Sequence, residues 1–233
     1  MSRAQIPPLP MSEQERRARR RMWLIVLLVV LALAGLVAFL VWFKLFREVR
    51  TPIADDAESF KYGAIGNEAY DGIPYWIWLV LPRVFPEYLP GNGGYAALGM
   101  VTEPGDPDGK SPAGQVPIGF SLTTVGMPRV AMNCAICHLS VVRKPGEVVP
   151  RTYPGGTGNQ MDTQGYLKFL FACANDPRFT PDVLLEQIDY NVKLSALDRL
   201  LYRTVLIPQT KRALLQLAEQ YAFMSDRTPW SIG

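Results

Sequence analysis

Five consecutive residues of this 233-residue chain have the types and spacing that chemistry needs: Cys134, Ala135, Ile136, Cys137 and His138. Cys-x-x-Cys-His is the attachment pattern for c-type haem. On a helical turn, residues i, i+3 and i+4 share one face, so both thiols and the imidazole point the same way. The spacing therefore predicts one covalent haem c, bound by thioether bonds to Cys134 and Cys137, with His138 as the proximal iron ligand.

Two other uses of paired cysteines fit the sequence less well. A zinc site takes four ligands, whereas the third cysteine, Cys173, is distant and His138 is the only histidine of the chain. A redox Cys-x-x-Cys normally belongs to a thioredoxin-like βαβ unit, and no such pattern surrounds Cys134. Cys173 lies in an apolar run and is expected to be a small core residue.

The second axial ligand cannot be another histidine of this chain. A methionine thioether is the usual substitute and raises the reduction potential. Met161, which precedes a predicted helix, is the first candidate for the distal iron ligand. Met224, Met100 and Met127 are weaker candidates, because methionine readily fills core space. An open or water-bound iron is the remaining alternative.

Four basic side chains flank the motif and could pair with haem propionates through charge-assisted hydrogen bonds. They are Arg129, Arg143, Lys144 and Arg151. Each alone is typical of a solvated surface charge, and we expect one of the four to contact a propionate.

Residues 22–43 read MWLIVLLVVLALAGLVAFLVWF, without a charge or a proline. A helix of this length covers about 33 Å, enough to cross a hydrocarbon core of about 30 Å. Five arginines between residues 16 and 21 precede it, so the positive-inside rule places the N-terminus in the cytoplasm and the chain after residue 50 outside.

Ala32-Leu33-Ala34 resembles a signal-peptidase site. Cleavage there would leave a strongly apolar N-terminus, and we expect an uncleaved anchor.

Charge and composition exclude several classes of protein. Residues 1–50 contain nine Lys and Arg against three acids, and residues 51–233 contain fifteen against eighteen, so the net charge of +3 arises in the N-terminal segment. Nucleic-acid binding is not predicted, because no basic patch is visible on the exported part. At 48% hydrophobic residues the chain is not disordered as a whole.

The exported part is predicted to be helical and rich in loops. Residues 72–90 read GIPYWIWLVLPRVFPEYLP, in which Pro74 suits a first helical turn and Pro82 should end or kink the helix. This helix is either buried or lies against lipid or a membrane partner. Further helices are predicted over residues 162–174, 181–192 and 194–223, with Asp162 or Thr163 and then Thr180 as N-caps. No alternating run is long enough to indicate a sheet.

The predicted fold class is therefore mainly α, with a single transmembrane helix followed by a loop-rich, cytochrome c-like α-helical domain. We divide the chain into a cytoplasmic basic tail (1–21), a transmembrane anchor (22–43), a stalk (44–70) and a periplasmic mono-haem domain (71–233).

Several stretches around the motif resemble the N-terminal haem domain of rubber-oxygenase-like di-haem cytochromes, a group related to bacterial di-haem cytochrome c peroxidases. These stretches are residues 72–78 (GIPYWIW), 117–121 (PIGFS), 125–130 (VGMPRV) and 164–171 (QGYLKFLF), together with the Cys-x-x-Cys-His motif. Members of that group carry a second haem motif, which these 233 residues do not contain. The resemblance therefore implies only the roles of Cys134, Cys137 and His138.

The function that we expect is electron transfer by one haem on the periplasmic side of a bacterial inner membrane. The expected partners are a membrane redox complex or a soluble redox protein, and the lipid bilayer through residues 22–43. One alternative is a haem-containing accessory subunit of a larger complex, for which the Trp76/Trp78 segment would suit docking. Another is a peroxidase- or oxygenase-like domain with open iron, although Glu147 and Asp162 do not by themselves define an acid–base pair.

Overall fold

The computed structural model describes residues 13–49, 52–105, 111–146, 150–156 and 161–224. Residues 1–12 of the predicted cytoplasmic tail, Glu147 and the C-terminal residues 225–233 lie outside this part. The chain divides into two compact units, residues 1–46 and 47–233. About 56% of the described residues are helical, and two sheets are also present, so the predicted mainly α class is confirmed only in part.

The first unit contains one long helix, α1, Glu13–Leu45. It includes the predicted segment 22–43 and extends beyond both of its ends. The helix is long and apolar enough to cross a membrane, and none of its residues is buried inside the protein. Apolar side chains that pack against nothing in their own chain are typical of a segment that lies in lipid. We therefore treat α1 as a candidate membrane span.

The second unit begins earlier than the sequence predicted. Its first elements are β1 (Glu48–Val49), α2 (Asp56–Tyr62), β2 (Ile73–Pro74) and α3 (Tyr75–Val84). Asp55 is the N-cap of α2, and its carboxylate accepts a hydrogen bond from the Glu58 N–H at 2.8 Å. Residues expected to form a stalk therefore contribute a strand and a helix to the folded unit.

The helix predicted after Pro74 is α3, and it is a core helix. Its residues Ile77, Val80 and Leu81 are at most 1% exposed. Of the two alternatives left open by the sequence, the buried helix is confirmed. Pro82 lies in the last turn of α3, which ends two residues later at Val84. Trp78 is only 2% exposed, so it cannot contribute to the docking surface considered above.

No sheet was indicated by the sequence, but the structure contains two. Strands β3 (Phe120–Val125) and β4 (Met127–Met132) form an antiparallel hairpin, and β1 and β2 flank it in the order β1-β3-β4-β2. Gly126 lies at the hairpin turn with φ of +67°, a conformation that favours glycine. A second hairpin pairs β5 (Leu139–Val142) with β6 (Arg151–Pro154).

Both faces of the β3–β4 hairpin are covered, which explains why the sequence shows no alternation. Phe120 points to one face and contacts the Trp78 ring of α3 at a centroid distance of 5.7 Å. Ser121 points to the other face, is 0% exposed and donates to the buried Glu68 carboxylate at 2.6 Å. A strand that is buried on both sides loses the hydrophobic–polar period of 2.

An aromatic cluster forms the centre of this unit. Trp78 stacks on Tyr95 at 4.2 Å and donates its indole N–H to the Tyr166 hydroxyl at 3.0 Å. Phe120 meets the edge of Tyr166 at 5.6 Å. The cluster joins α3, β3 and the first helix of the C-terminal half, and its polar side-chain atoms form hydrogen bonds with other residues of the cluster.

The C-terminal half is helical, and two predicted caps are confirmed. Its helices are α4 (Thr163–Asn175), α5 (Pro181–Asp189), α6 (Ala196–Leu201) and α7 (Ile207–Gln220). Asp162 caps α4 by accepting from the Gly165 N–H, and Thr180 caps α5 by accepting from the Val183 N–H. Cys173 is 0% exposed, as expected for a core residue.

The single helix predicted over residues 194–223 is interrupted. Between α6 and α7, Tyr202–Leu206 form a π-helical turn, closed by a hydrogen bond from the Ile207 N–H to the Tyr202 carbonyl. Pro208 follows immediately and has no N–H to donate to the carbonyl four residues earlier. Tyr202, the first residue of this turn, is only 1% exposed.

Candidate functional site

The Cys-x-x-Cys-His motif forms one tight helical turn. Cys134–Ile136 are a 3-10 turn, and the Cys134 carbonyl accepts from the N–H groups of Cys137 at 3.3 Å and His138 at 3.1 Å. Cys134, Cys137 and His138 are all exposed, whereas Ala135 is only 1% exposed. Neither cysteine forms a disulfide bond. The turn thus presents its three reactive side chains to the outside and buries the residue between them.

Asn133 fixes the start of this turn. Its side-chain oxygen accepts from the Ala135 N–H at 3.0 Å, as an N-cap does. Its amide nitrogen donates to the carbonyls of Lys61 at 3.1 Å and Gly63 at 3.2 Å, at the end of α2. Asn133 is 5% exposed, so these bonds are shielded from water. One amide group therefore caps the motif and ties it to a helix seventy residues away in the chain.

The backbone of Gly119 lies close to the backbone of the motif turn. A Cβ atom at Gly119 would lie 2.8 Å from both the Cα and the N of Ile136, and its φ is +92°. The Gly119 carbonyl accepts from the Asn133 N–H at 2.8 Å, and the Gly119 N–H donates to the Lys61 carbonyl at 3.0 Å. Only a residue without a side chain allows this approach.

The side chain of Lys61, whose carbonyl accepts from Asn133, belongs to a polar network with two glutamates. Its ammonium donates to both oxygens of Glu103 at 2.9 Å and to Glu58 at 3.1 Å. Burial lowers the pKa of Lys61, but the hydrogen bonds and charges of Glu103 and Glu58 outweigh it and raise the pKa above its ordinary value. Tyr62 also donates to Glu103, and burial together with that carboxylate raises the pKa of its hydroxyl far above the usual range. Lys61 therefore stays protonated at neutral pH.

The β5–β6 hairpin follows the motif directly and closes against it. The Gly155 N–H donates to the His138 carbonyl at 2.9 Å. On β6, the Thr152 hydroxyl donates to Glu103 at 3.1 Å, which joins the hairpin to the Lys61 network. The backbone on both sides of the motif is therefore fixed to the same group of residues.

A small apolar pocket lies behind the motif turn. Its volume is about 20 Å³, and its lining includes Ala135, Ile136 and Leu139 together with Met100 and Met161. Both methionines are 6% exposed. A volume of this size holds about one water molecule, so a porphyrin cannot enter the pocket as it stands. The two methionines lie on the inner side of the turn, whereas the thiols face outward.

The other two methionine candidates lie elsewhere in the fold. Met127 is paired with Val125 at the turn of the β3–β4 hairpin. Met224 follows α7, and its carbonyl accepts from the Gln164 side chain at 3.2 Å. Of the four candidates, the structure brings Met161 and Met100 to the motif.

The four basic candidates also separate into two groups. Arg143, Lys144 and Arg151 are exposed, on the strands and turn of the β5–β6 hairpin. Arg129 lies on β4 and is half-buried, and its Nη1 donates to the Gly72 carbonyl at 2.9 Å.

Direct coordination of a metal ion by several protein ligands finds no support in the described residues, where no group of three or more His, Cys, Asp and Glu side chains could hold an ion. Haem c needs fewer protein ligands at the metal. Its two cysteines bond to carbon atoms of the porphyrin, and one imidazole binds the iron. Exposed Cys134, Cys137 and His138 on one rigid turn fit that demand.

Asn133, Gly119 and Lys61 were not found from the sequence. An asparagine directly before the first cysteine is a recognisable N-cap signal for the turn. Gly119 and Lys61 act through contacts with residues far along the chain, and no local pattern marks them.

No protein-family model, curated protein or solved structure matches this chain. The functional interpretation of the site therefore depends on its own residues and geometry.

Replacing Asn133 tests whether the hydrogen bonds of its side chain stabilise the motif turn. Asn133→Asp keeps the N-cap oxygen but turns the amide donor toward Lys61 and Gly63 into an acceptor facing two carbonyls. We expect the free energy of unfolding to fall by about 2–3 kcal/mol, because buried polar groups lose their partner. Urea denaturation followed by circular dichroism measures this. The control is Asn191→Asp, since Asn191 is exposed and donates one bond; equal losses in the two variants would contradict the assigned role.

Gly119→Ala tests the close approach to Ile136. The positive φ alone costs about 1–3 kcal/mol, and the Cβ contact adds to it. Gly146→Ala is a matched control, because its φ is +87° and nothing lies within 4 Å of the added atom. Gly119→Ala should therefore lower the melting temperature clearly more than Gly146→Ala. Similar shifts in the two variants would show that the motif does not depend on this contact.

Proposed function

We propose that this protein is a membrane-anchored c-type cytochrome that carries one covalent haem for electron transfer on the periplasmic face of a bacterial inner membrane. The observation that supports it most directly is the outward presentation of Cys134, Cys137 and His138 by a single turn. Two thiols on the face that also carries an imidazole are what covalent haem attachment requires.

Each residue of the turn has a defined task. Cys134 and Cys137 would hold the haem by two thioether bonds, and His138 would supply the proximal nitrogen. Asn133 and Gly119 keep the turn in one conformation, so the three side chains need little rearrangement on attachment. The haem supplies the reversible one-electron chemistry, and the protein adjusts its potential through ligation, burial and hydrogen bonding.

The distal ligand is proposed to be Met161. Its thioether lies in the pocket behind the motif. Met161 starts the segment that enters α4, where the Asp162 N–H donates to the Leu98 carbonyl at 2.8 Å. For coordination, the pocket that Met161 shares with Ile136 and Leu139 must open, because its present volume of about 20 Å³ excludes a porphyrin.

Membrane attachment is proposed through α1 as an uncleaved anchor. The arginines of residues 16–21 lie before the apolar part of the helix, and fewer basic residues follow it. This asymmetry favours a cytoplasmic N-terminus and an exported second unit. Covalent haem attachment takes place outside the cytoplasm, which agrees with that orientation.

A second candidate function is peroxide chemistry at an open axial position. One observation favours it: both nearby methionines lie in a pocket on the inner side of the turn, whereas the thiols and His138 face outward. In that case His138 alone would bind the iron, and the haem would supply peroxide chemistry.

Optical and electron paramagnetic resonance spectra of the detergent-solubilised full chain in both redox states separate the two functions. For electron transfer, we expect a low-spin spectrum with one covalent haem. Met161→Leu, which nearly conserves volume, should convert it to high spin and lower the reduction potential. Met127→Leu is the control and should leave the spectrum unchanged.

Two results would count against this assignment. A wild-type spectrum that is already high-spin and responds to peroxide would support the open-iron function instead. A protein purified without covalent haem, from cells that attach haem to other cytochromes, would contradict both.

A further inference from the structure

One face of the β5–β6 hairpin, its inner face, packs against the rest of the second unit. Leu139 and Val141 of β5 line the small pocket behind the motif. Val141 lies opposite Thr152 of β6, whose hydroxyl donates to Glu103 at 3.1 Å. Alternate residues of a strand share a face, so these contacts account for the inner face and fix the hairpin in place.

The outer face of the hairpin carries apolar side chains that remain exposed. It consists of two cross-strand pairs, Ser140 with Tyr153 and Val142 with Arg151. Tyr153 is 50% exposed and Val142 is 47% exposed, although aromatic and β-branched residues in strands normally pack against a neighbour. Arg151 is exposed as well. The outer face therefore presents a tyrosine ring, a branched aliphatic side chain and a cation in adjacent positions.

This face continues directly into the Cys-x-x-Cys-His motif. The Gly155 N–H donates to the His138 carbonyl at 2.9 Å, which extends the antiparallel pairing by one residue beyond the last strand pair. Because side chains alternate, position 138 belongs to the same face as positions 140 and 142. Tyr153 is the diagonal cross-strand neighbour of His138, a separation that aromatic side chains can bridge.

There is open space beside the proposed iron ligand. Gly155, opposite His138, has φ of +78°, and apart from its chain neighbours nothing lies within 4 Å of a Cβ atom placed on it. A flat group attached to His138 would therefore meet no side chain there. Along β5, Val142 lies about 13 Å from His138 at the usual rise of a strand. This distance is of the order of the reach of a haem from its iron to a propionate carboxylate.

We propose that the outer face of the β5–β6 hairpin is the surface against which the haem packs. Tyr153 and Val142 contact the porphyrin on the side of His138, and Arg151 pairs with a propionate through charge-assisted hydrogen bonds. The proposal depends on the proposed function for its ligand. It explains why apolar side chains next to the motif are exposed to water in the protein without haem.

Of the four basic residues around the motif, this proposal selects Arg151 as the partner of a propionate. Arg129 is half-buried on β4, in the other sheet, and donates to the Gly72 carbonyl. Arg143 and Lys144 follow the last paired residue of β5, so neither belongs to the outer face.

Nitration of exposed tyrosines by tetranitromethane, located by peptide mass mapping, tests this contact in the detergent-solubilised full chain. In the haem-free variant Cys134→Ala/Cys137→Ala, Tyr153 should be nitrated readily. In the haem-loaded wild type it should lose most of this reactivity, because the porphyrin covers its ring. Tyr190, which is 72% exposed and follows α5, is the control and should react equally in both forms.

Haemin added to the haem-free variant tests the same surface without covalent attachment, since His138 and the hairpin are still present. It should protect Tyr153 from nitration in that variant too. Arg151→Gln, introduced into the haem-free variant, should weaken haemin binding about tenfold, the effect of one charge-assisted hydrogen bond. Arg143→Gln removes the same charge outside the outer face and should leave the affinity for haemin unchanged.

The outcomes separate this surface from the proposed function. A haem-loaded wild type whose Tyr153 reacts as in the haem-free variant overturns the surface and leaves haem attachment standing. A wild type without covalent haem, in which haemin still protects Tyr153, contradicts the proposed function and supports the surface. Absence of protection in both experiments, or equal haemin affinities of Arg151→Gln and Arg143→Gln, overturns the surface.

Discussion

The backbone carbonyl of Lys61 is the acceptor on which the conformation of the motif depends. It receives the Gly119 N–H and the Asn133 amide, and these two residues are themselves joined by a hydrogen bond. A turn of three residues has no stability of its own, because nucleating a helix costs more than one hydrogen bond returns. The hydrogen bonds to α2 and to the residue before β3 supply the stability that the turn lacks. They are also what keeps two thiols and an imidazole on one exposed face.

This arrangement divides the site into an outer and an inner side. The outer side carries the groups that could bond to a haem, and the inner side carries the thioethers of Met100 and Met161 around a pocket of about 20 Å³. Both sides share the same backbone, since Ala135 and Ile136 line the pocket while their neighbours face outward. A change in the pocket is therefore transmitted to the turn, which links the proposed axial ligand Met161 to the proposed attachment residues.

A feature of the fold could be predicted from the sequence when the residues that produce it lie close together in the chain. Asp162 and Thr180 cap helices through residues three positions away, and both caps were predicted. The sheet was not, because Phe120 and Ser121 are buried on opposite faces and remove the alternation that marks a strand. Pro208 interrupts a helical pattern that otherwise runs from residue 194 to 223, and the resulting π turn was overlooked. The motif residues are adjacent in the chain and could be identified at once, whereas Gly119 and Lys61 act across long sequence separations.

The mass of the intact polypeptide, measured after denaturation and extraction with acidified acetone, tests most directly whether the motif carries haem. This treatment removes any haem that is not covalently bound. For the full chain purified from cells that attach haem to other cytochromes, the predicted mass is that of the polypeptide plus one haem, with the Cys134→Ala/Cys137→Ala variant at the mass of the polypeptide alone. A wild-type chain that shows only the polypeptide mass would contradict the proposed function.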